Sequence, residues 1–149
     1  MKPLRVLFVC TGNRARSQMA EGWARKLAPP GVEVMSAGTQ PNPKGVHPLA
    51  IEVMKEKAVD ISRHRPKSLA ELPGEFDYVI TVCSEADAAC PTLPARRARL
   101  AWHLPDPDQA TGSDAEVREF FRRIRDDLEQ RIRELFSSHQ FTGSIEGAR

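Results

Sequence analysis

The feature that most constrains the fold is a short apolar run near the start of the chain, which leads directly into a polar loop and then a helix. Residues Leu4 to Val9 are apolar except for Arg5, a pattern typical of a strand buried on both faces of a parallel sheet. Cys10 to Ser17 form the polar loop, and apolar residues then recur at helical spacing up to Pro29. This order of strand, loop and helix predicts an α/β fold.

The rest of the chain continues the alternation of strands and helices. Further strands are predicted at Val32–Ala37, Phe76–Val82 and Leu100–Leu104. Further helices are predicted from Pro48 to about Lys57, over Ser84–Cys90, and after the capping-box pair Ser113 and Glu116. We therefore expect a three-layer α/β sandwich with a four-stranded parallel sheet.

Length and composition indicate one globular domain. The 149 residues match a single core, which we assign to residues 1–137, with a polar tail at 138–149. A net charge of only +2 argues against a nucleic-acid partner. No apolar run reaches membrane-spanning length and no signal peptide is recognised, so a cytoplasmic location is expected. We also expect the protein to be a monomer.

Three chemically reactive residues follow predicted strands. Cys10, Cys83 and Asp106 come directly after, or within a few residues of, the ends of three of them. Ligands of parallel sheets bind outside the carboxyl ends of the strands, so we expect these residues to converge at one edge.

The loop from Cys10 to Ser17 predicts an anion site with a nucleophile. Free N–H groups at a helix N-terminus bind anions, and the planar guanidinium of Arg16 suits two oxygens of phosphate or arsenate. The same positive surroundings favour the thiolate of Cys10, to which Ser17 can donate a hydrogen bond. Gly12 is expected to supply backbone angles that larger residues resist. The alternative is that Cys10 is a buried structural thiol.

Cys83 and Cys90 suggest a redox switch. In a helix their α-carbons would lie roughly 10 Å apart, whereas a disulfide requires about 7 Å or less. Oxidation would therefore require the short helix to unfold, which its length permits. Two unrelated buried cysteines remain an alternative, as does a zinc site, although the spacing differs from that of usual zinc ligands.

Several motifs resemble the low-molecular-weight tyrosine phosphatase superfamily. They are Phe8-Val9-Cys10-Thr11-Gly12-Asn13 with Arg16-Ser17, Ser36-Ala37-Gly38-Thr39, and Pro105-Asp106-Pro107. The resemblance implies that Asp106 is the general acid or base, in preference to Asp108. It also implies that the loop residues bind the substrate, namely Thr11, Gly12, Asn13, Arg14 and Ala15.

The later cysteines resemble one branch of that superfamily, the thioredoxin-coupled arsenate reductases. They lie in the segment Val82-Cys83-Ser84-Glu85-Ala86-Asp87-Ala88-Ala89-Cys90-Pro91. The resemblance implies reduction of arsenate by a relay from Cys10 through Cys83 to Cys90, with thioredoxin as the partner and phosphate as a competing anion. No cofactor and no metal are expected.

One departure from the family concerns a cation. Some members bind potassium beside the anion loop, and Asn13, Glu21 and Ser36 match that pattern. Lys67 stands where a carboxylate is expected, so we predict no dependence on potassium.

Two other functions compete with arsenate reduction. A phosphatase would hydrolyse a phosphoryl-Cys10 intermediate with help from Asp106 and would not need Cys83 or Cys90. A non-enzymatic oxyanion or redox sensor would use the cysteines but would leave Asp106 without a role.

Overall fold

A parallel sheet organises the protein, which is described here by a computed structural model covering residues 3–82, 93–138 and 141. The strands are β1 (Leu4–Cys10), β2 (Val32–Gly38), β3 (Tyr78–Thr81) and β4 (Ala98–Ala101), in the spatial order β2-β1-β3-β4. The helices are α1 (Arg16–Leu27), α2 (Pro48–Lys55) and α3 (Asp114–Ser137). Single 3₁₀ turns occur at Leu69–Glu71 and Pro107–Gln109. The expected three-layer α/β fold with a four-stranded parallel sheet is confirmed.

The first strand lies in the middle of the sheet. It pairs with β2 from Leu4↔Val32 onward and with β3 from Val6↔Tyr78 onward, both in parallel. The side chains from Val6 to Val9 are fully buried, as an apolar strand covered on both faces requires. This position brings the carboxyl end of β1, where Cys10 lies, between the ends of its two neighbours.

The three helices pack on one another through polar anchors as well as apolar side chains. Trp23 of α1 donates its indole N–H to the carbonyl of Arg125 in α3 over 3.1 Å. The buried guanidinium of Arg125 donates to the carbonyl of Val53 (3.0 Å) and to Glu56 (2.7 Å) just after α2. None of the helices in the described ranges combines the length and hydrophobicity that crossing a bilayer requires.

The fourth strand begins and ends earlier than predicted. It spans Ala98–Ala101, whereas the sequence pattern predicted Leu100–Leu104. The ladder with β3 ends at Thr81↔Ala101, and the N–H of Trp102 then donates to the Thr81 carbonyl over 2.7 Å. Leu104 is buried in the loop after the strand, so its apolar character reflects loop packing.

Two predicted features fall partly or wholly outside the described residues. The helix predicted over Ser84–Cys90 lies outside them, and so does most of the predicted tail. Phe141 is described, and it is buried against Tyr78 and Phe136, with ring centroids 4.9 and 5.0 Å away. Packing against the core therefore continues beyond the end of α3.

Candidate active site

The nucleophile candidate lies at the carboxyl end of β1. Cys10 is only 3% exposed, and its Sγ is 2.8 Å from the hydroxyl oxygen of Ser17 in the first turn of α1. The backbone N–H of Asn13 also donates to Sγ over 3.1 Å. Both groups can donate to a sulfur anion, and such hydrogen bonds favour the thiolate.

Asn13, and not Gly12, has the unusual backbone conformation in the loop. Asn13 has a φ of +50°, in the left-handed region that asparagine tolerates better than most residues. The φ of Gly12 lies outside that region, and a Cβ at Gly12 would meet its neighbours at ordinary distances of 3.6 Å or more. The expectation that Gly12 is needed for its backbone angles was wrong.

The orientation of the Asn13 amide is fixed by its neighbours. Its Oδ1 accepts hydrogen bonds from the backbone N–H of Lys67 (2.9 Å) and from Nε2 of Gln18 (3.0 Å). The amide nitrogen therefore faces the other way and donates to Ser17 Oγ (2.7 Å) and Ser36 Oγ (3.0 Å).

This orientation decides which way the hydrogen bond to Cys10 runs. Ser17 Oγ accepts a hydrogen from Asn13, so its own hydrogen is available for the sulfur. Ser36 is oriented in the same way: its Oγ accepts a hydrogen bond from the Asn13 amide and donates its own hydrogen to the carboxylate of Glu21 over 2.5 Å. The network therefore presents donors to Cys10.

Glu21 is a buried carboxylate surrounded by positive groups. It is 3% exposed, accepts a hydrogen bond from Arg25 Nε (2.8 Å) and lies 3.7 Å from the ammonium of Lys67. Burial lowers the pKa of Lys67, while the charge of Glu21 opposes that shift. Asn13, Ser36 and Glu21, which match the family's cation pattern, thus lie together with a lysine ammonium beside them.

Arg16 connects the loop to the segment after β4. Its Nη1 donates to the carbonyl of Leu104 over 2.9 Å, and its Nη2 lies 3.6 Å from a carboxylate oxygen of Asp106. The guanidinium is buried, whereas the Asp106 side chain is 35% exposed. A buried guanidinium and an accessible carboxyl group therefore flank the same space.

That space is a cavity of about 290 Å³ at the end of the sheet. It is lined by Cys10, Thr11, Gly12, Arg14, Ala15, Arg16, Gln40, Asn42, His47 and Asp106. All the predicted loop residues from Cys10 to Arg16 except Asn13 line it, and Asn13 and Ser17 support Cys10 from behind. Sequence reasoning missed Gln40, Asn42 and His47, since loop residues between β2 and α2 carry no periodic signal.

Close backbone packing holds the loop in place. The carbonyls of Cys10, Thr11 and Gly12 accept hydrogen bonds from the N–H groups of Thr39, Gln40 and Asn42, at 2.8 to 3.2 Å. A Cβ at Gly38 would lie 2.6 Å from the Thr11 carbonyl oxygen, so a larger residue would push the loop away. The glycine of the Ser36-Ala37-Gly38-Thr39 motif is thus explained by this close approach.

Part of the predicted site lies outside the described residues. This applies to Cys83 and Cys90 and to the side chain of Asp108. Among the residues that the structure does describe, no group of three or more His, Cys, Asp or Glu side chains could hold a metal ion.

Comparison with known proteins identifies the family. The model of the low molecular weight phosphotyrosine protein phosphatase family matches residues 5–143. The chain belongs to this family. The resemblance drawn from the motifs is confirmed, and so is the expectation of an enzyme.

Several of the similar proteins are called arsenate reductases. That of Halalkalibacterium halodurans is 41% identical over 129 residues, which cover 86% of this chain and 91% of the relative. That of Bacillus subtilis is 38% identical over 131 residues, covering 87% and 93%.

Solved structures of arsenate reductases also have a similar fold. An arsenate reductase in a phosphate-binding state has a TM-score of 0.75 at 32% identity, covering 92% of this chain and 98% of that one. The thioredoxin-dependent arsenate reductase of Corynebacterium glutamicum has a TM-score of 0.71 at 32% identity, covering 95% of this chain and 64% of its own.

Proposed function

We propose that this protein reduces arsenate to arsenite through a three-cysteine relay that thioredoxin regenerates. The observation that carries the proposal is the arrangement around Cys10: a buried sulfur faces hydrogen-bond donors, and Arg16 and Asp106 line the same cavity. The similarity to relatives that are called arsenate reductases supports the proposed activity. The cysteine pair Cys83 and Cys90 supplies the two further thiols.

The first step is nucleophilic attack on the oxyanion. The Cys10 thiolate attacks arsenic(V), a sulfur–arsenic bond forms and one arsenic–oxygen bond breaks. Asp106 gives a proton to the departing hydroxyl group of arsenate, which leaves as water. Arg16 and the N-terminus of α1 stabilise the negative charge of the oxyanion, as two guanidinium N–H groups and unpaired backbone N–H groups can do.

The second step transfers two electrons to arsenic. The Cys83 thiol loses its proton and attacks the Cys10 sulfur, and the sulfur–arsenic pair of electrons leaves with arsenic as arsenite. Cys90 then attacks Cys83, which frees Cys10 and leaves a Cys83–Cys90 disulfide. The dithiol of thioredoxin reduces that disulfide, and a cytoplasmic location would keep thioredoxin reduced.

A turnover assay tests the relay. Arsenate-dependent NADPH consumption with thioredoxin and thioredoxin reductase should occur in the wild type and be lost in Cys10→Ser, Cys83→Ser and Cys90→Ser. In a single turnover without thioredoxin, Cys90→Ser should stop with a Cys10–Cys83 disulfide, whereas the wild type should keep one free thiol. Turnover that survives Cys83→Ser would contradict the relay.

Phosphatase activity is the second candidate, and it is favoured by the family and by the cavity itself. Hydrolysis of an aryl phosphate should need Cys10 and Asp106 but neither Cys83 nor Cys90. Its persistence in Cys83→Ser and Cys90→Ser provides the control that these variants are folded. Hydrolysis without any arsenate turnover by the wild type would make the protein a phosphatase.

A further inference from the structure

One histidine lies in the wall of the cavity beside Cys10. His47 lines the cavity together with Cys10, Arg16 and Asp106. It immediately precedes α2, and its backbone N–H donates to the carbonyl of Arg14 over 2.9 Å. His47 is therefore tied directly to the anion-binding loop.

The hydrogen bonds of His47 fix its protonation pattern. The Nδ1 atom accepts the backbone N–H of Leu49 over 3.1 Å and so caps the first turn of α2. A ring nitrogen that accepts a hydrogen bond carries no proton, so the neutral imidazole has its proton on Nε2.

The position of the ring is fixed as well. Its centroid lies 4.6 Å from that of the fully buried Phe121, at an interplanar angle of 46°. The Nδ1 atom faces the first turn of α2. An aromatic contact on one side and a cap on another leave the ring little freedom to rotate.

We propose that His47 is a further ligand of the bound oxyanion, donating its Nε2–H to one oxygen of arsenate or phosphate. The inference rests on the proposed function, because it requires a tetrahedral oxyanion in this cavity. A neutral donor stabilises the anion without adding a third positive charge beside Arg14 and Arg16, which also line the cavity.

Two substitutions separate the cap from the anion ligand. Nδ1 is two bonds from Cβ, as is the Oδ1 of asparagine, so His47→Asn keeps the cap and loses the distant donor. Nε2 is three bonds from Cβ, as is the Nε2 of glutamine, so His47→Gln keeps a donor at that reach and loses a good cap.

Calorimetric titration with inorganic phosphate at about pH 8, above the ordinary imidazole pKa of about 6.5, measures the effect. His47→Asn should weaken binding about tenfold, because one charge-assisted hydrogen bond is lost. His47→Gln should bind phosphate within about threefold of the wild type. Both variants lose the ring contact with Phe121, so the cap is measured by their difference, and His47→Gln should melt roughly 2–8 °C below His47→Asn. In turnover, His47→Asn should lower kcat/KM for arsenate about tenfold, in proportion to the loss of phosphate affinity.

Wild-type affinity for phosphate in His47→Asn would overturn the proposal and leave His47 as a cap only. An equal loss of affinity in both variants would also contradict a hydrogen bond from Nε2.

Arsenate turnover by the wild type separates the ligand role of His47 from the proposed three-cysteine relay. If the wild type binds phosphate with the predicted pattern but reduces no arsenate, the relay is wrong and the ligand role of His47 stands. If the wild type binds no phosphate, the ligand role of His47 is wrong, and arsenate turnover alone then decides whether the relay stands.

Discussion

At the scale of single residues, the chemistry of Cys10 depends on an amide that does not touch the cavity. The Asn13 side chain has its orientation set by Gln18 and by the Lys67 backbone, and it passes that orientation on to Ser17. Ser17 therefore donates its hydrogen bond to the Cys10 sulfur because of contacts that Asn13 makes elsewhere, with Gln18 and with the Lys67 backbone. A substitution in this network should change the reactivity of Cys10 while leaving the cavity walls in place.

Ser17→Ala tests that network. Loss of the 2.8 Å contact should shift alkylation of Cys10 by iodoacetamide to higher pH and slow it about tenfold at neutral pH, as expected for one hydrogen bond to an anion. Ser137→Ala, at an exposed position near the end of α3, is the matched control. An unchanged pH profile for Ser17→Ala would contradict the proposed direction of the hydrogen bond.

The ammonium of Lys67 beside Glu21 leads to a prediction about cations. Arsenate turnover by the wild type should be the same in KCl and NaCl at equal ionic strength, because a fixed positive charge already lies 3.7 Å from the buried carboxylate. Lys67→Gln should lower the free energy of unfolding by about 1–3 kcal/mol, since Glu21 loses a partner while Arg25 remains. Lys55→Gln, at an exposed position, is the control. Stimulation of the wild type by potassium alone would be the contrary result.

Only some of these residues could be recognised in the sequence. Cys10, Arg16 and Asp106 were predicted from their positions after strands and from the family motifs, and the structure brings them around one cavity. Gln18 and the role of His47 were not predicted. On α1, polar residues normally mark a solvated face, and their burial depends on loops that come much later in the chain.

At the scale of elements, one glycine decides how closely α1 packs on the segment after α2. A Cβ at Gly22 would lie 2.7 Å from Ile61 Cγ2 and 3.0 Å from Val59 Cγ1. Both contacts are with β-branched side chains, which cannot easily move aside.

Gly22→Ala therefore sets two effects against each other. Alanine should stabilise the helix by about 1 kcal/mol, but overpacking costs roughly 1–3 kcal/mol, so net destabilisation is expected. Urea unfolding followed by tryptophan fluorescence measures the difference. Ile61→Val retains the Cγ2 contact, so Gly22→Ala should cost the same in that background as in the wild type. Ile61→Ala is itself destabilising because Ile61 is fully buried, but it removes the contact, so a double-mutant cycle should show that Gly22→Ala costs less in the Ile61→Ala background. If Gly22→Ala alone were more stable than the wild type, Ile61 and Val59 would have to move aside at little cost, which would contradict the expected overpacking.

The existence of the described strands was predictable, but their ends were not. The run Leu100 to Leu104 is apolar enough to predict a strand, yet the ladder ends at Ala101 because β3 ends at Thr81. The length of β4 is thus set by its partner in the sheet. Local sequence carries no information about where a distant partner ends.

At the scale of the whole molecule, ionisable groups whose pKa values differ from those of the unfolded chain give stability a dependence on pH, and His64 and Glu56 are two of them. Burial, together with the charges of Arg25 and Lys67, lowers the pKa of His64 below its ordinary value of 6.5. Hydrogen bonds from Arg122 and Arg125 lower the pKa of Glu56 from 4.5 to about 2, with the Arg122 bond the larger cause. In both cases the unfolded chain binds protons at a higher pH than the folded one does.

The free energy of unfolding should therefore fall as the pH is lowered, in two windows. The first begins as the pH falls through 6.5 and belongs to His64. The second runs from 4.5 downward. Glu56, with its pKa lowered to about 2, contributes to it, as do Asp60, Glu71 and Glu116, whose pKa values are also lowered by hydrogen bonds. Urea unfolding at a series of pH values should show that His64→Gln flattens the first window and that Glu56→Gln reduces the slope of the second. Equal slopes in the wild type and both variants would be inconsistent with this assignment.

The central place of β1 has a consequence for the newly made chain. The surroundings of Cys10 need β2, β3 and the Leu104 carbonyl that holds Arg16, and Leu104 follows Cys10 by 94 positions. At about 5–20 residues per second, a ribosome takes roughly 5–20 s to cover that distance. During this time Cys10 lacks these surroundings and behaves as an ordinary thiol, mostly protonated at neutral pH and slow to oxidise. Cys10 thus gains the hydrogen bonds that favour its thiolate only when the last supporting segment has left the ribosome and folded.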